Sequence, residues 1–227
     1  MKGIVFITSS GGSAIGAFLA GLRDAGCRIP KIFIFTDRPC GAESLSAFSE
    51  VVVQRIELKD NRKFSQECSR RLVGKEISFL ALFFSRLISE DLYEKIPCYN
   101  FHPSLLPAYA GFGAPRRALE DGVFFSGVTM HLVNGEIDSG KIVAQGCFAL
   151  APNTSRERYD SLAFVHKVAL LFYIFEKNYL PERDYLCGDD LSEMTGQLFN
   201  PAIQYPPFRK YLLKLWRENL VVNEREV

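Results

Sequence analysis

The stretch IPCYNFHPSLLP, residues 96–107, organises this chain. It opens as a short apolar strand and ends in a polar segment that contains a histidine and prolines. Asn100 and His102 are two residues apart, so both side chains leave the same face of an extended strand. Pro103 keeps His102 extended and ends the strand, which puts an amide and an imidazole at a strand tip, where α/β sheets bind ligands. Such a pair can donate to an oxyanion or carry a proton, although an isolated Asn-x-His is more often structural.

Before this stretch, apolar runs of strand length alternate with segments of helical periodicity. The apolar runs cover Gly3–Thr8, Lys31–Thr36, Val51–Ile56 and Ile77–Phe84. Three segments show helical periodicity. The first starts at Ala14, the second lies near Ala42–Phe48 and the third covers Phe64–Val73. Continuous apolar strands that alternate with helices are typical of a parallel sheet covered on both faces. The sequence therefore predicts an α/β fold with a Rossmann-like, doubly wound, mostly parallel sheet.

The pattern changes after residue 100. Residues 127–133 and 141–150 are β-runs joined by a segment with two turn signals, which predicts strands that are antiparallel or mixed with the main sheet. Ser155–Glu176 carries an apolar stripe at helical spacing, which we expect to be core. We expect residues 1–183 to form the catalytic domain. Residues 184–227 are expected to be an extension that packs on this domain or in a subunit interface, and a homodimer would fit the second arrangement.

The composition excludes several classes of function. The 227 residues are 48% hydrophobic and carry a net charge of +1 without a basic block, so we expect small-molecule substrates and no nucleic-acid or membrane partner. The six cysteines are scattered without a CxxC pair, which predicts free thiols, a reducing compartment and no metal site. We find no signal peptide and no apolar run of roughly 18 residues, which favours a cytoplasmic location.

Three further features mean little on their own. Gly11, Gly12 and Ser13 form a small-residue turn between the first strand and the first helix, and the amides at a helix start bind anions such as phosphate. The spacing is not GxGxxG, and a tight turn without a ligand fits equally well. His131 lies within a predicted strand, where a structural role is the default. Asp138 precedes Ser-Gly and is by itself an ordinary turn residue.

Taken together, these residues resemble one family. NFHPSLLP at residues 100–107, ALEDG at 118–122, GVTMHLV at 127–133 and IDSGKIVAQ at 137–145 are similar, in order and spacing, to the folate-dependent formyltransferases. The likeness leans towards phosphoribosylglycinamide (GAR) formyltransferases and sugar-nucleotide N-formyltransferases. The resemblance implies the formyltransferase fold and an enzyme that uses 10-formyltetrahydrofolate as its co-substrate, with no metal.

The resemblance also implies roles in catalysis. It makes Asn100, His102 and Asp138 the catalytic residues that move the formyl group to the primary amine of a small phosphorylated acceptor. Asn100 and a protonated His102 would donate to the oxyanion of the tetrahedral intermediate. Asp138 would pair with His102 and raise the pKa of its imidazole. His131 is expected to have a structural or supporting role.

Binding roles follow from the same resemblance. The folate pterin is expected between two segments, largely on backbone groups, and the phosphate of the acceptor is expected on the glycine-rich turn. The donor-binding residues are Ser85, Arg86, Leu87, Val133 and Asn134. The acceptor-binding residues are Gly11, Gly12 and Ser13.

Two departures from the GAR pattern concern the acceptor. GAR enzymes have an asparagine where this chain has Ala14, and a glutamate on the long helix where our alignment places Val165 or His166. A sugar-nucleotide amine therefore stays open as the acceptor, and so does hydrolysis of the formyl donor, in which water replaces the amine. The missing GxGxxG disfavours a dinucleotide-binding oxidoreductase, and the complete Asn-His-Asp set disfavours a folate-binding protein without turnover.

Overall fold

Eight strands form one sheet within residues 1–180 and 197–221, the part of the chain that the computed structural model describes. The strands are β1 (Gly3–Thr8), β2 (Ile32–Thr36), β3 (Val51–Arg55), β4 (Ile77–Phe83), β5 (Cys98–His102), β6 (Phe125–Leu132), β7 (Ile142–Ala149) and β8 (Gln197–Asn200). The α-helices are α1 (Ser13–Asp24), α2 (Asn61–Arg71), α3 (Glu90–Tyr93), α4 (Ala114–Glu120), α5 (Arg156–Tyr179) and α6 (Pro206–Trp216). A 3₁₀ helix lies at Gly41–Ala47 and a π-helical turn at Arg217–Val221.

The strands follow the order β3-β2-β1-β4-β5-β6-β7-β8. Strands β1 to β5 pair in parallel, whereas β6, β7 and β8 are each antiparallel to the strand before them. The predicted doubly wound, mostly parallel sheet with antiparallel strands after the loop that follows His102 is therefore confirmed. The sequence analysis missed α3 and β8, because elements of four residues are too short to show a periodicity.

Strand β1 shows why both faces of the sheet are covered. Ile4 and Phe6 pack on one face and Val5 and Ile7 on the other, and all four are fully buried. Helices α1, α5 and α6 cover the first face, and α2 and α3 cover the second. A strand that is buried on both faces has to be apolar throughout, which explains the continuous runs in the sequence.

Two helices begin at side-chain caps. Asp60 Oδ1 accepts a hydrogen bond from the Lys63 amide at 2.7 Å before α2, and Ser155 Oγ accepts one from the Arg158 amide at 3.2 Å before α5. Each cap satisfies an amide that the helix leaves unpaired and contributes about 0.5–2 kcal/mol. Helix α5 then buries the predicted apolar stripe, which consists of Leu162, Val165, Val168, Ala169, Phe172 and Phe175.

The described part of the C-terminal extension joins the same layers. Strand β8 pairs with β7, and α6 packs on α5 with the Phe208 ring stacked on Phe172 at a centroid distance of 4.3 Å. The buried Glu176 of α5 accepts hydrogen bonds from the amides of Gln204 at 3.0 Å and Tyr205 at 2.8 Å. The predicted boundary between residues 183 and 184 lies outside the described residues.

The strand order opens a crevice at one end of the sheet. Because β2 and β4 flank β1, the chain runs to one side after β1 and crosses to the other side before β4. The loops that follow β1 and β4 therefore separate at the carboxyl ends of these strands, which is where open α/β sheets bind ligands.

Two general findings apply to residues 1–180 and 197–221. No helix in these ranges is both long and apolar enough to cross a bilayer. The cysteines in these ranges, Cys27, Cys40, Cys68, Cys98 and Cys147, are free thiols, and Cys187 lies outside them.

Candidate active site

A cavity of about 610 Å³ opens at the carboxyl ends of β1, β4 and β5. Its wall contains every residue that the sequence analysis assigned to catalysis, to the donor or to the acceptor. The segments after β1, after β4 and at the tip of β5 contribute three sides. The loop between β6 and β7 and the helix α5 contribute the rest. The topology therefore brings together residues that are far apart in the sequence.

Asn100, His102 and Asp138 meet at one end of this cavity. The Asp138 carboxylate lies between the other two, with Oδ1 3.1 Å from Asn100 Nδ2 and Oδ2 3.1 Å from His102 Nδ1. Asn100 and His102 leave the same face of β5, as their spacing predicts. The His102 and Asp138 side chains are only 6% and 9% exposed, so they interact in surroundings that screen charge poorly.

Asp138 is held in an uncommon backbone conformation. Its φ of 50° is left-handed, and Tyr109 on the facing loop has a φ of 56°. The Gly111 amide donates to Asp138 Oδ2 at 2.8 Å. Burial raises the pKa of Asp138, but the contacts from His131 and the Gly111 amide and the nearby imidazoles outweigh it, so the pKa lies below its ordinary value. The carboxylate is therefore ionised at neutral pH.

His102 faces an acceptor at each ring nitrogen. Its Nε2 donates to the Tyr109 carbonyl oxygen at 2.9 Å, and its Nδ1 faces the Asp138 carboxylate. Burial lowers the pKa of His102, and the Tyr109 carbonyl and the Asp138 carboxylate offset this only in part. Asp138 does raise the pKa of His102, as expected, but burial outweighs this effect, and the sequence does not reveal how deeply the imidazole is buried.

The His102–Asp138 pair can accept one more proton in this geometry. With Nε2 protonated, a neutral His102 points the Nδ1 lone pair at a carboxylate oxygen. Uptake of a proton at Nδ1 turns this contact into a hydrogen-bonded ion pair. The His102–Asp138 pair is thus suited to receive a proton during a reaction and to return it.

His131 contacts the same cluster from the neighbouring strand, where it lies directly opposite Asn100. Its Nδ1 donates to the Leu132 carbonyl oxygen at 2.9 Å, and its Nε2 lies 3.4 Å from Asp138 Oδ1. Asn100 Nδ2 lies 3.1 Å from this Nε2. The Asn100 amide nitrogen thus lies within hydrogen-bond distance of both Asp138 and His131, and donation to an oxyanion requires that an N–H bond turn away from this pair. Holding the Asn100 amide is consistent with a supporting role for His131.

A hydrogen-bonded network fixes the loop after His102. Buried Thr129 Oγ1 donates to the Ser104 carbonyl oxygen at 2.7 Å and accepts from the Leu106 amide at 3.0 Å. Gln145 Nε2 donates to Thr129 Oγ1 at 2.9 Å and to the Leu106 carbonyl oxygen at 3.0 Å. The sequence analysis gave Thr129 and Gln145 no role. Their positions on adjacent strands, on the same side as His131, were the available signal.

A second set of contacts ties this loop to the helices. The Tyr159 hydroxyl of α5 donates to the Pro103 carbonyl oxygen at 2.8 Å. Arg117 of α4 donates through Nη2 to the carbonyl oxygens of Tyr109 at 2.9 Å and Ala110 at 2.6 Å. The Tyr109 carbonyl oxygen that accepts from His102 is therefore also fixed by a hydrogen bond from Arg117.

The predicted donor segments, residues 85–87 and 133–134, line the cavity. The Arg86 guanidinium turns away and donates to the carbonyl oxygens of Leu58 at 2.9 Å and Lys59 at 2.6 Å. Asn134 Oδ1 accepts from the Glu136 amide at 3.0 Å and from Ser139 Oγ at 3.1 Å, which closes the turn before Asp138. These side chains hold the two segments in place.

The glycine-rich turn ends at the first residue of α1. Gly12 caps the helix with a φ of 73°, and a Cβ atom there would lie 2.8 Å from Ala42, so only glycine fits. Gly12, Ser13, Ala14 and Ile15 line the cavity, and the first amides of an α-helix have no partner within the helix. This arrangement favours a negatively charged group.

Comparison with known proteins identifies the family of this chain. The formyl transferase family model matches residues 1–172. The chain belongs to the formyl transferase family. It is 27% identical to phosphoribosylglycinamide formyltransferase of Bacillus subtilis over 180 residues, which cover 76% of this chain and 91% of that protein.

Two further matches extend this result. The chain is 25% identical to the trifunctional purine biosynthetic protein adenosine-3 of Drosophila melanogaster over 166 residues, 69% of this chain, and spans only 12% of that protein. The crystal structure of glycinamide ribonucleotide transformylase 1 from Geobacillus kaustophilus superposes with a TM-score of 0.67 and 27% identity, covering 75% of this chain and 94% of that one. The formyl transferase fold that the sequence analysis expected is thus confirmed.

Helix α5 departs from our alignment with this family. Val165 and His166 are fully buried and point into the core, where His166 Nδ1 contacts the Leu162 carbonyl oxygen at 2.8 Å. Neither lines the cavity, so our alignment did not identify the residues of α5 that face it. Asp160, Phe164 and Lys167 line it instead. A shift of one or two residues along a helix turns a side chain to another face, and an alignment at this identity does not fix that shift.

Residues 1–180 and 197–221 contain no group of three or more His, Cys, Asp or Glu side chains arranged to hold a metal ion.

Proposed function

We propose that this member of the formyl transferase family moves a formyl group from 10-formyltetrahydrofolate to the primary amine of a small phosphorylated acceptor, as in GAR formyltransferases. The observation that carries this proposal is the ionised Asp138 held between Asn100 and His102 at one end of the cavity. Acyl transfer to an amine needs a proton carrier and a donor for the oxyanion at one point, and this cluster supplies both.

In the proposed reaction the amine nitrogen attacks the formyl carbon and the carbonyl oxygen becomes an oxyanion. Asn100 turns one N–H bond from its present partner to this oxygen. The amine loses one proton to the His102–Asp138 pair. When the bond between the formyl carbon and N10 of the folate breaks, the pair returns the proton to N10, so that a formamide and tetrahydrofolate leave.

The donor and the acceptor are proposed to enter from different sides of the cavity. The pterin would lie between Ser85–Leu87 and the loop that starts at Val133, two segments that are fixed by their own side chains. The phosphate would lie at Gly11, Gly12 and Ser13, where the start of α1 favours an anion by about 0.3–1 kcal/mol, or up to ~2 kcal/mol when partly buried.

The test is the release of tetrahydrofolate from 10-formyltetrahydrofolate with a panel of GAR, amino-sugar nucleotides and ornithine-type amines. Release that requires a phosphorylated amine supports the proposal. Efficient use of an amino-sugar nucleotide would identify the sugar enzymes as the nearer relatives. Release without any amine would instead make the protein a hydrolase, and a preference for an amine without phosphate would contradict the assigned role of the glycine-rich turn.

A further inference from the structure

A buried carboxylate lies between the two loops that separate at the crevice. Asp37 follows β2 directly, and its side chain is only 3% exposed. The Arg86 guanidinium, from the loop after β4, lies 3.4 Å from Asp37 Oδ2. The Ser9 hydroxyl, from the loop after β1, donates a hydrogen bond to the same carboxylate. Asp37 therefore contacts the loops on both sides of the crevice from behind the cavity wall, of which it is not a part among the described residues.

These contacts close into a ring. Ser85 Oγ donates to Ser9 Oγ at 3.3 Å. The ring thus runs from Asp37 to Ser9, from Ser9 to Ser85, and through the backbone to Arg86, which returns to Asp37. Ser85 and Arg86 belong to the proposed donor segment, and Ser9 lies two residues before Gly11 of the glycine-rich turn. The ring therefore joins the proposed donor side of the cavity to the proposed acceptor side.

The charge of Asp37 holds this ring together. Burial raises the pKa of Asp37, but the hydrogen bonds from Arg38 and Ser9 and the contact with Arg86 outweigh it, so the pKa lies below its ordinary value. Arg38 donates to the two carboxylate oxygens at 3.0 Å and 2.9 Å. Hydrogen bonds to a charged group are stronger than those to a neutral one. Loss of the charge should therefore loosen both loops at once.

We propose that Asp37 is a positioning residue that holds the donor segment Ser85–Leu87 against the start of the glycine-rich turn, and that ligands on the two sides of the cavity consequently bind with positive cooperativity. A ligand that orders one segment leaves the other less freedom to lose, so the second ligand binds more tightly, and linkage makes this gain mutual. The inference rests on the proposed function, which assigns one ligand to each side. Asp37 acts on binding and not on the chemical step, since proton transfer is assigned to the His102–Asp138 pair.

Tetrahydrofolate and inorganic phosphate are the probes for the first test, because they do not react with each other. The affinity of the full chain for tetrahydrofolate, measured by calorimetry, should rise about fivefold or more when phosphate saturates the protein. Asp37→Asn keeps the shape of the side chain without its charge. It should weaken tetrahydrofolate binding about tenfold and abolish the gain from phosphate.

Two further variants make this test specific. Glu43→Gln is the matched control, because Glu43 is bound to Arg55 at 2.6 Å and to Thr36 of β2 instead of to the ring. It should keep both the affinity and the gain of the unchanged protein. Ser9→Ala removes the hydroxyl that joins the turn to Asp37 but leaves the Arg86 contact. The affinity of this variant for tetrahydrofolate alone should stay nearly unchanged, while the gain from phosphate should fall.

Kinetics provide the second test. Asp37→Asn should raise KM for 10-formyltetrahydrofolate by a similar factor while kcat stays nearly unchanged. A merely structural role would lower the free energy of unfolding of Asp37→Asn and leave the gain from phosphate intact. If Asp37→Asn does not fold, Ser9→Ala decides alone.

The outcomes separate this inference from the proposed function. No gain from phosphate in the unchanged protein, or an undiminished gain in Asp37→Asn and Ser9→Ala, would overturn the inference and leave the proposed function standing. Failure of the unchanged protein to bind tetrahydrofolate would overturn both.

Discussion

The cavity and the core of this molecule each contain a buried histidine, and the two histidines differ in their neighbours. His102 in the cavity has the Asp138 carboxylate at Nδ1 and the Tyr109 carbonyl at Nε2. His166 in the core has the Leu162 carbonyl oxygen at 2.8 Å and the Cys147 carbonyl oxygen at 3.2 Å, and its ring lies 4.8 Å from the Phe199 ring.

Burial lowers the pKa of both imidazoles, and that of His166 to about 4. The difference lies in what happens when a proton arrives. At His102 the proton meets a full negative charge, whereas at His166 it meets only carbonyl dipoles in apolar surroundings. We propose that the neighbouring carboxylate is what allows His102, unlike His166, to carry a proton.

The largest expected effect comes from breaking the charged pair. His102→Ala should lower kcat about a hundred- to ten-thousand-fold, because the proton carrier is lost, while circular dichroism and folate binding change little. Asp138→Asn should lower kcat severely as well. The double variant should lose much less than the product of the two single losses, since the residues act as a unit. Near-normal turnover by Asp138→Asn would show that its assigned role is wrong.

The next effect concerns the stability of the core. Because the folded-state pKa of His166 lies below its unfolded value of 6.5, the stability that a neutral His166 contributes is present above pH 6.5. This stability is lost as the pH falls towards 4, and the shift corresponds to about 3 kcal/mol. His166→Gln should flatten the dependence of the free energy of unfolding on pH across this window, as measured by urea titration.

His102 supplies the comparison for the same measurement. Its pKa is also lowered, so its contribution has the same sign, but Asp138 offsets part of the lowering. His102→Gln should therefore flatten the curve less than His166→Gln does. Equal slopes for the two variants would mean that the carboxylate does not distinguish the two sites.

The smallest effect tests the contact between the two regions. The Tyr159 hydroxyl of α5 reaches from the core to the Pro103 carbonyl oxygen beside the cavity. Tyr159→Phe should lower the free energy of unfolding by about 1–2 kcal/mol and reduce kcat several-fold through a looser loop. Tyr99→Phe removes a half-buried hydroxyl that has no hydrogen bond among the described residues, and it should change neither quantity. A Tyr159→Phe variant with unchanged kcat would show that this contact serves the core alone.

The sequence predicted the elements that have a clear period. β1 was predicted with its observed bounds, and Pro103 ends β5 at His102 as expected. The spacing of Asn100 and His102 predicted that they share a face, because strand geometry allows little else. These features are determined by residues that are close together in the sequence.

The sequence could not predict features that depend on how deeply a side chain is buried or on how a helix is rotated about its axis. The pKa of His102 depends on how completely the loop after β5 covers it, which is a tertiary property. Lys167 went unnoticed as a cavity residue because α5 is buried on most sides, so that its apolar pattern does not define which face lines the cavity. The partners of Asn100 likewise depend on the register of β6, which puts His131 opposite it.

The left-handed backbone at Tyr109 and Asp138 has a consequence for partial unfolding. Both residues contact His102, and each adopts a conformation that costs a residue with a Cβ atom about 1–2 kcal/mol. Such segments keep their shape only while the surrounding structure enforces it, and they open before the core does. The single tryptophan, Trp216, is buried on α6 and reports on the core. In rising urea, catalytic competence should therefore vanish while the fluorescence of this tryptophan still reports a native interior.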